Sequence, residues 1–297
     1  MGQRRHRRWW VALIAVGVSM FQIAAANGAG AANVYIQYNI YGHVGHPGDF
    51  RSVDVLLTRV FEWYNAGLAP SAVSNQEICN GHFADIQGAL GPLGYEGEFY
   101  NTGYSDPGSF LCSGWYGNSV FGWETTANNP SQQFAGRYSA QSSNGPEQRG
   151  IVCGVFPIYG FIHTACSTHL DTDPGTANWE LLEAAQVERN TINAYPGLTH
   201  YLGGDLNLCY PTVRTSLNTL YTDHVEANGG GWALPGGTSC SAVNGQPLYT
   251  FNDLSGPFHS LTVKYDYAFT NSVFTHSQLF RYNNDASDHS LIVGYYF

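Results

Sequence analysis

Several short segments of this chain place an acid, an amide or an imidazole at the end of an apolar, β-prone run. They are Tyr38-Asn39-Ile40, Gln76-Glu77, Thr168-His169-Leu170-Asp171, Gly204-Asp205-Leu206-Asn207, Tyr265-Asp266-Tyr267 and Ser287-Asp288-His289-Ser290. Strand ends are where a rigid scaffold presents chemistry to solvent, so these segments read as parts of one assembled site. Glu77, Asp288, Asp205 and the amides offer hard oxygen ligands, which suit Mg2+, Mn2+ or Ca2+. The His/Cys set that zinc prefers is missing, and no cysteine pair has CxxC spacing. His169 and His289, each near carboxylates in sequence, supply imidazoles that exchange protons close to neutral pH. The combination fits hydrolysis of a phosphate ester by an activated water.

The individual residues carry parts of that chemistry. Asp205 and Asn207 alternate on an extended backbone, so carboxylate and amide face one side. The preceding Gly203-Gly204 lets a backbone or a phosphate come close. Asp266 lies in an otherwise apolar strand and needs a cation to offset its burial; His289 is the partner expected. Arg149, just before a strand, has a guanidinium fork suited to a phosphate. His163 shares a strand with His169 but sits in its middle, where a structural role is expected.

The elements that must position these groups alternate between strand and helix. Strands are expected at Val34–Asn39, Ala72–Glu77, Gly150–Val155, Gly160–His169 and Leu198–Gly203, with three closing strands at Ser260–Phe269, Ser272–Phe280 and His289–Phe297. Helices are expected at Phe50–Tyr64, His82–Leu90, Asn178–Tyr195 and Val213–Ala227. The third of these should bury Trp179, Leu182, Ala185 and Ile192. The stretch Tyr95–Asn144, rich in Gly, Ser, Asn and aromatic residues, reads as strands joined by long loops. Phe110, Trp115, Tyr116, Phe121 and Trp123 within it are expected in the core, with contact to a membrane as the alternative. Early crossover helices and late hairpins imply mixed sheets sandwiched by helices in a single domain over 32–297.

Residues 1–31 have the layout of a secretory signal peptide: Arg4, Arg5, Arg7 and Arg8, an apolar stretch from Trp9 to about Ala26, then small residues at two cleavage positions. A membrane anchor is the alternative, but the stretch is short for a span and contains Gln22. An extracellular, secreted protein is therefore expected. Six cysteines, an even number, agree with an oxidising compartment. Cys153 and Cys166 flank a hairpin and can bridge it; by order, Cys79–Cys112 and Cys209–Cys240 complete the set. Removing the leader's four arginines from the twelve Lys+Arg leaves eight basic residues against twenty-two acidic ones, about −14. A tight nucleic-acid binder would carry a basic stripe, and none is present. Bound divalent cations can reverse such a field locally, so transient engagement of a polyanion stays compatible.

The ordered blocks Tyr38-Asn39-Ile40, Gln76-Glu77, Glu147-Gln148-Arg149-Gly150, Ser167-Thr168-His169-Leu170, Gly203-Gly204-Asp205-Leu206-Asn207, Tyr265-Asp266-Tyr267 and Ser287-Asp288-His289 resemble the endonuclease/exonuclease/phosphatase superfamily. Its members include deoxyribonuclease-I-like nucleases, neutral sphingomyelinases and cytolethal distending toxin catalytic subunits. The resemblance implies an α/β fold: a four-layered α/β sandwich with two central mixed β-sheets flanked by helices. It implies that Glu77, with Asn39 and Asp288, holds the divalent metal. Asp205 and Asn207 would position water or a phosphate oxygen, and Asp266 would orient His289 as acid/base. His169 would meet the phosphate or leaving oxygen, with Glu98 or Glu124 as its acidic partner, and Arg149 would bind phosphate. The first functional expectation is a secreted phosphodiesterase acting on DNA or RNA. The second is the same chemistry on a sphingomyelin-like lipid or a small phosphoester, and the third is a non-catalytic binding module on the same fold. No protein partner is implied.

Overall fold

Alternation along the first strand, β1 (Asn33–Asn39), sets the layers. Val34, Ile36 and Tyr38 point one way and join Val53, Leu56 and Val60 of helix α1 (Arg51–Asn65) and Ile86 and Leu90 of α2 (Asn80–Leu90). Tyr35 points the other way, into a second core with Ala72, Val120, Val152, Phe156, Ala165, Tyr201, Ala268 and Ile292. A third core packs Ala177, Leu181 and Ala184 of α3 (Pro174–Ala194) on Ile151, Leu202 and Phe269. Each buried Val, Leu, Ile or Phe contributes roughly 1.5–3 kcal/mol. The result is four layers: helices, sheet, sheet, helix. The computed structural model describes residues 33–40, 50–105, 114–123, 132–141, 147–158, 161–196, 198–208, 225–226, 251–253, 260–263, 266–271, 276–280 and 286–296. The chain divides into two compact units, 1–31 and 32–297, of which the first lies outside the described residues.

The remaining strands are β2 (Ala72–Cys79), β3 (Tyr95–Ser105), β4 (Gly114–Trp123), β5 (Gln132–Arg137), β6 (Gly150–Ile158), β7 (Phe161–His169), β8 (Thr199–Asp205), β9 (Val225–Glu226), β10 (Phe251–Asp253), β11 (Ser260–Val263), β12 (Asp266–Thr270), β13 (His276–Phe280) and β14 (Leu291–Tyr296). They form two six-stranded mixed sheets, ordered β13-β14-β1-β2-β4-β3 and β5-β6-β7-β8-β12-β9, and a two-stranded β10-β11 ribbon. Each large sheet has one parallel pair, β1 with β2 and β7 with β8. A parallel pair needs a long crossover, and α1 and α3 supply them. Cys153 and Cys166 face each other across β6 and β7 and form a disulfide. Cys79 is also disulfide-bonded, while Cys112, Cys209 and Cys240 lie outside the described residues.

Four expectations about elements change. The run Ser260–Phe269 is two strands in different sheets, so Asp266 is the first residue of β12 instead of interrupting a strand. Helix α3 begins at Pro174, four residues early, because Asp173 caps it: its carboxylate accepts from Thr176 N at 2.9 Å and Pro174 takes the first helical position. Its buried face is Ala177, Glu180, Leu181, Ala184, Ala185, Glu188 and Thr191, leaving Trp179 65% and Leu182 39% exposed. Of the expected helix at Val213–Ala227, the described part, Val225–Glu226, is a strand paired with β12; the rest lies outside the described residues. Finally, Trp115, expected in the core, is 47% exposed; the β3–β4 hairpin that carries it consists of strands as expected and buries Tyr116 and Phe121, while Phe110 lies outside the described residues. No described helix is long and apolar enough to cross a membrane.

Candidate functional site

The inter-sheet space changes from apolar to polar along each central strand, and that gradient builds the site. On the faces that carry Tyr35, Ala72, Ala165 and Tyr201, the next alternate residues are Gln37 and Asn39, Ser74 and Gln76, Ser167 and His169, and Gly203 and Asp205. The register brings the ends together: His169 lies opposite Asp205, and Asp205 opposite Asp266. Gly203 is required by packing, since a Cβ there would sit 2.2 Å from the Tyr35 hydroxyl and 2.4 Å from Ser74 Oγ. Gly204 likewise faces the Thr168 carbonyl, 2.3 Å from where a Cβ would lie. The close approach is by side chains at Gly203 and by backbone at Gly204. Glu77 breaks the alternation. It has φ 53°, and the β2–β4 pairing shifts between Asn75 and Ile78. In a regular strand it would point opposite to Gln76, into the helix-side core; the bulge re-aims it toward Asn39.

A continuous set of contacts links the expected residues. Asn39 Nδ2 donates to Asp205 Oδ2 at 3.0 Å and to Glu77 Oε1 at 3.3 Å. Asp205 Oδ2 lies 3.4 Å from His289 Nε2 and 3.5 Å from His169 Nε2. His289 Nδ1 meets Asp266 Oδ2 at 2.7 Å, and its Nε2 is 3.7 Å from Asp288 Oδ1. Ser287 Oγ, which donates to the Asn39 carbonyl at 2.8 Å, accepts from His289 N at 3.1 Å and ties the last segment to β1. The Asn207 backbone N–H donates to Asp205 Oδ1 at 3.0 Å, and its Nδ2 to the Leu170 carbonyl at 2.9 Å. Asn207 thus joins the ends of β7 and β8, with one amide N–H and its carbonyl oxygen left over for other work. At φ 48°, it and Glu77 are the non-glycine residues with positive φ among those described. Held backbone conformations of this kind cluster at functional sites.

The acid beside His169 was not among those expected. Glu147 Oε1 lies 3.9 Å from His169 Nδ1 and 3.0 Å from Arg149 Nη1. Glu98 lies on β3 in the other sheet, and Glu124 is outside the described residues. The signal was present in Glu147-Gln148-Arg149, whose i, i+2 spacing puts acid and guanidinium on one side of an extended chain. Arg149 is therefore an ion-paired residue and not an isolated fork.

Electrostatics separate the two imidazoles. Burial drives His169 well below its usual range, helped by Arg149 and His289, so it is neutral. Burial also works against a charge on His289, but Asp266 and Asp205 outweigh it and hold it well above the usual value, as an imidazolium. Burial lifts Asp205 to about 6, against the pull of His289. Burial, then Glu147 and Asp288, lifts Glu77 to about 8. Groups whose values are pushed apart inside one buried cluster are a mark of a functional site.

Solved structures at 14–16% identity share this architecture over about nine-tenths of the chain. The human Nocturnin catalytic domain with bound sulfate anion aligns at TM-score 0.60 and 16% identity, covering 89% of this chain and 93% of that one. D. rerio TDP2 complexed with single strand DNA product aligns at 0.59 and 15%, covering 90% and 99%. The endonuclease/exonuclease/phosphatase from Bacteroides vulgatus aligns at 0.59 and 16%, covering 90% and 98%. The chain has the endonuclease/exonuclease/phosphatase fold. No protein-family model and no curated sequence matches it.

Within this endonuclease/exonuclease/phosphatase fold, two sets of residues could meet a cation. Asp205, Asp266 and His289 place one ligand atom each within 4.8 Å of one another. Asp266 and His289 already bond to each other, however, and a charged imidazole has no lone pair for a metal. Glu77 fits better. Its Oε2 is buried with no hydrogen-bond partner among the described residues, and its carboxylate is destabilised by neighbouring acids. A divalent cation on Glu77, with Asn39 and Asp288 near, would satisfy that oxygen with hard ligands.

Proposed function

We propose that this protein is a divalent-metal-dependent phosphodiesterase, and that among phosphodiesters its substrate is DNA or RNA. The observation that carries the reading is the convergence of Glu77, Asn39, Asp205, His169, His289 and Asp288 from separate strand ends onto one connected cluster. Glu77, Asn39 and Asp288 would hold Mg2+ or Mn2+, which when bound supplies charge neutralisation at the phosphate. Asp205, lifted to about 6, orients the attacking water and can take its proton near neutral pH. Asp266 holds His289 charged, so its Nε2–H can donate to a phosphoryl oxygen as negative charge builds there. His169, neutral and beside Glu147, meets the leaving side, and the Arg149 guanidinium binds phosphate while paired to Glu147. Asn207 places the ends of β7 and β8 and offers its remaining amide N–H to a phosphate oxygen.

The DNA-bound TDP2 structure with this fold supports nucleic acid as the substrate class. The acidity of the chain favours a second reading, a phospholipid headgroup or small phosphoester that needs little basic surface. The basic, apolar leader and the disulfides support export to the extracellular space, with residues 1–31 removed. The test is a panel of plasmid DNA, RNA, sphingomyelin and a generic phosphodiester, with Mg2+ and then with chelator. Chelator-sensitive nicking supports the nuclease. Headgroup release without nicking selects the second reading. Inactivity on every substrate with every metal makes the fold a binding module here.

A further inference from the structure

Gln37 is a neutral amide with no exposure at all, in the middle of β1 between Tyr35 and Asn39. Burying an amide is unfavourable unless it is bonded, and this one is saturated. Its Nε2 donates to Asp266 Oδ1 at 3.2 Å and to Gln76 Oε1 at 2.8 Å. Its Oε1 accepts from Ser74 Oγ at 2.8 Å and from Gln76 Nε2 at 3.1 Å. Gln76 is itself anchored, donating to Ser167 Oγ at 2.9 Å, and Ser167 donates to the Asn75 carbonyl at 2.8 Å. The Tyr35 hydroxyl donates to Ser74 at 2.8 Å. Both donors and both acceptor sites of Gln37 are therefore committed, so the amide cannot flip without breaking bonds on two strands. The outcome at its far end is a division of one carboxylate: Gln37 takes Oδ1 of Asp266, and His289 takes Oδ2 at 2.7 Å.

We propose that Gln37 is a positioning residue that fixes the rotation of the Asp266 carboxylate through the Gln37–Gln76–Ser74 amide ladder, and so aims the His289 ring at Asp205. This rests on the reading of His289, held by Asp266, as the donor to the phosphoryl oxygen. The ladder spans β1, β2 and β12, two strands of one sheet and one of the other, so it also sets the spacing between sheets at the site. Among the described residues, the Gln37 side chain bonds to Ser74, Gln76 and Asp266 and to neither the cation ligands nor the phosphate-binding residues. Its loss should act on turnover and not on substrate affinity.

Gln37→Met keeps length and volume and removes the bonds. The expected result is a fall in kcat of about 10- to 100-fold with KM unchanged, the range for residues that orient an active group from behind. In an Asp266→Asn background the same substitution should change kcat less than about threefold, because the carboxylate it orients is gone. A purely structural role would keep its full effect there. A second readout needs no activity. The Nδ1 proton of His289 should give a downfield resonance in metal-free protein, assigned by its absence in His289→Ala, and Gln37→Met should shift or broaden it. Ser74→Ala, which removes one bond to Gln37, should do the same to a smaller degree and carries the test if Gln37→Met does not fold. Inactive wild type would sink the phosphodiesterase reading by itself. An unmoved resonance with unchanged kcat in a folded variant would overturn the role of Gln37.

Discussion

Replacing Asp266 with asparagine removes one charge at nearly constant shape and leaves one accepting oxygen where the carboxylate gave one each to His289 Nδ1 and Gln37 Nε2. His289 Nδ1 and Asp266 Oδ2 are 2.7 Å apart with both side chains buried. At an effective dielectric near 20, two unit charges at that distance attract by about 6 kcal/mol. Asparagine retains a hydrogen-bond acceptor worth about 1 kcal/mol, and Asp205 still faces the other ring nitrogen at 3.4 Å. A loss of at most about 5 kcal/mol in support for the imidazolium remains, which corresponds to about 10³- to 10⁴-fold in rate. The assay is kcat on bis(4-nitrophenyl) phosphate with Mg2+, beside an NMR titration of the His289 ring in metal-free protein. Burial opposes the charged ring in both proteins, so removing Asp266 should bring the His289 pKa down. A variant with kcat within threefold of wild type, and His289 titrating at the same pH, would refute the proton-holding argument.

Other outcomes follow from particular contacts. Burial lifts Glu180 to about 8, so the folded state holds its proton more tightly than the unfolded chain. Stability should therefore fall as pH rises from about 4.5 toward 8, and Glu180→Gln, which can still accept from Asp171 N, should flatten that slope by on the order of 3 kcal/mol in urea melts. His163 has the opposite sign: burial lowers it to about 4, so its contribution is intact above pH 6.5 and is lost as pH falls through 4. His163→Leu should reduce the acid sensitivity of the melting temperature. Gly203→Ala drives a methyl against Tyr35 and Ser74 and should destabilise by about 1–3 kcal/mol; a loss below about 0.5 kcal/mol would show that the sheets can part there. Glu77→Gln should abolish tight Mn2+ binding, measured by the free Mn2+ electron paramagnetic resonance signal, while leaving the melting temperature within a few degrees.

Much of the site could be read because polar groups at the ends of β-prone runs are conspicuous. Asp205, His169 and Asp288-His289 each follow or precede an apolar strand whose alternation fixes their direction. What could not be read depends on tertiary pairing. The i, i+2 spacing of Glu147 and Arg149 just before β6 pairs those two, but only the fold brings Glu147 to His169. Helix α3 turns Glu180 and Glu188 inward and leaves Trp179 outside, the reverse of hydrophobic ranking, because Glu180 bonds the Asp171 backbone N–H next to the site. The bulge at Glu77 is invisible to a period-two reading, which sends its side chain to the wrong face. Gln37 carries no signal of its own in the sequence, since its contact with Asp266 exists only once β12 is placed across from it.

The central claim is that these strand ends form a cation-dependent hydrolytic centre. The most direct measurement is turnover of a phosphodiester by the purified chain lacking residues 1–31, with Mg2+ and with excess chelator, for wild type, Glu77→Ala and His289→Ala. Hydrolysis by wild type that chelator abolishes, with each variant reduced at least about 100-fold and still folded, is the predicted result. Equal rates in wild type and both variants, or hydrolysis indifferent to chelator, would contradict it.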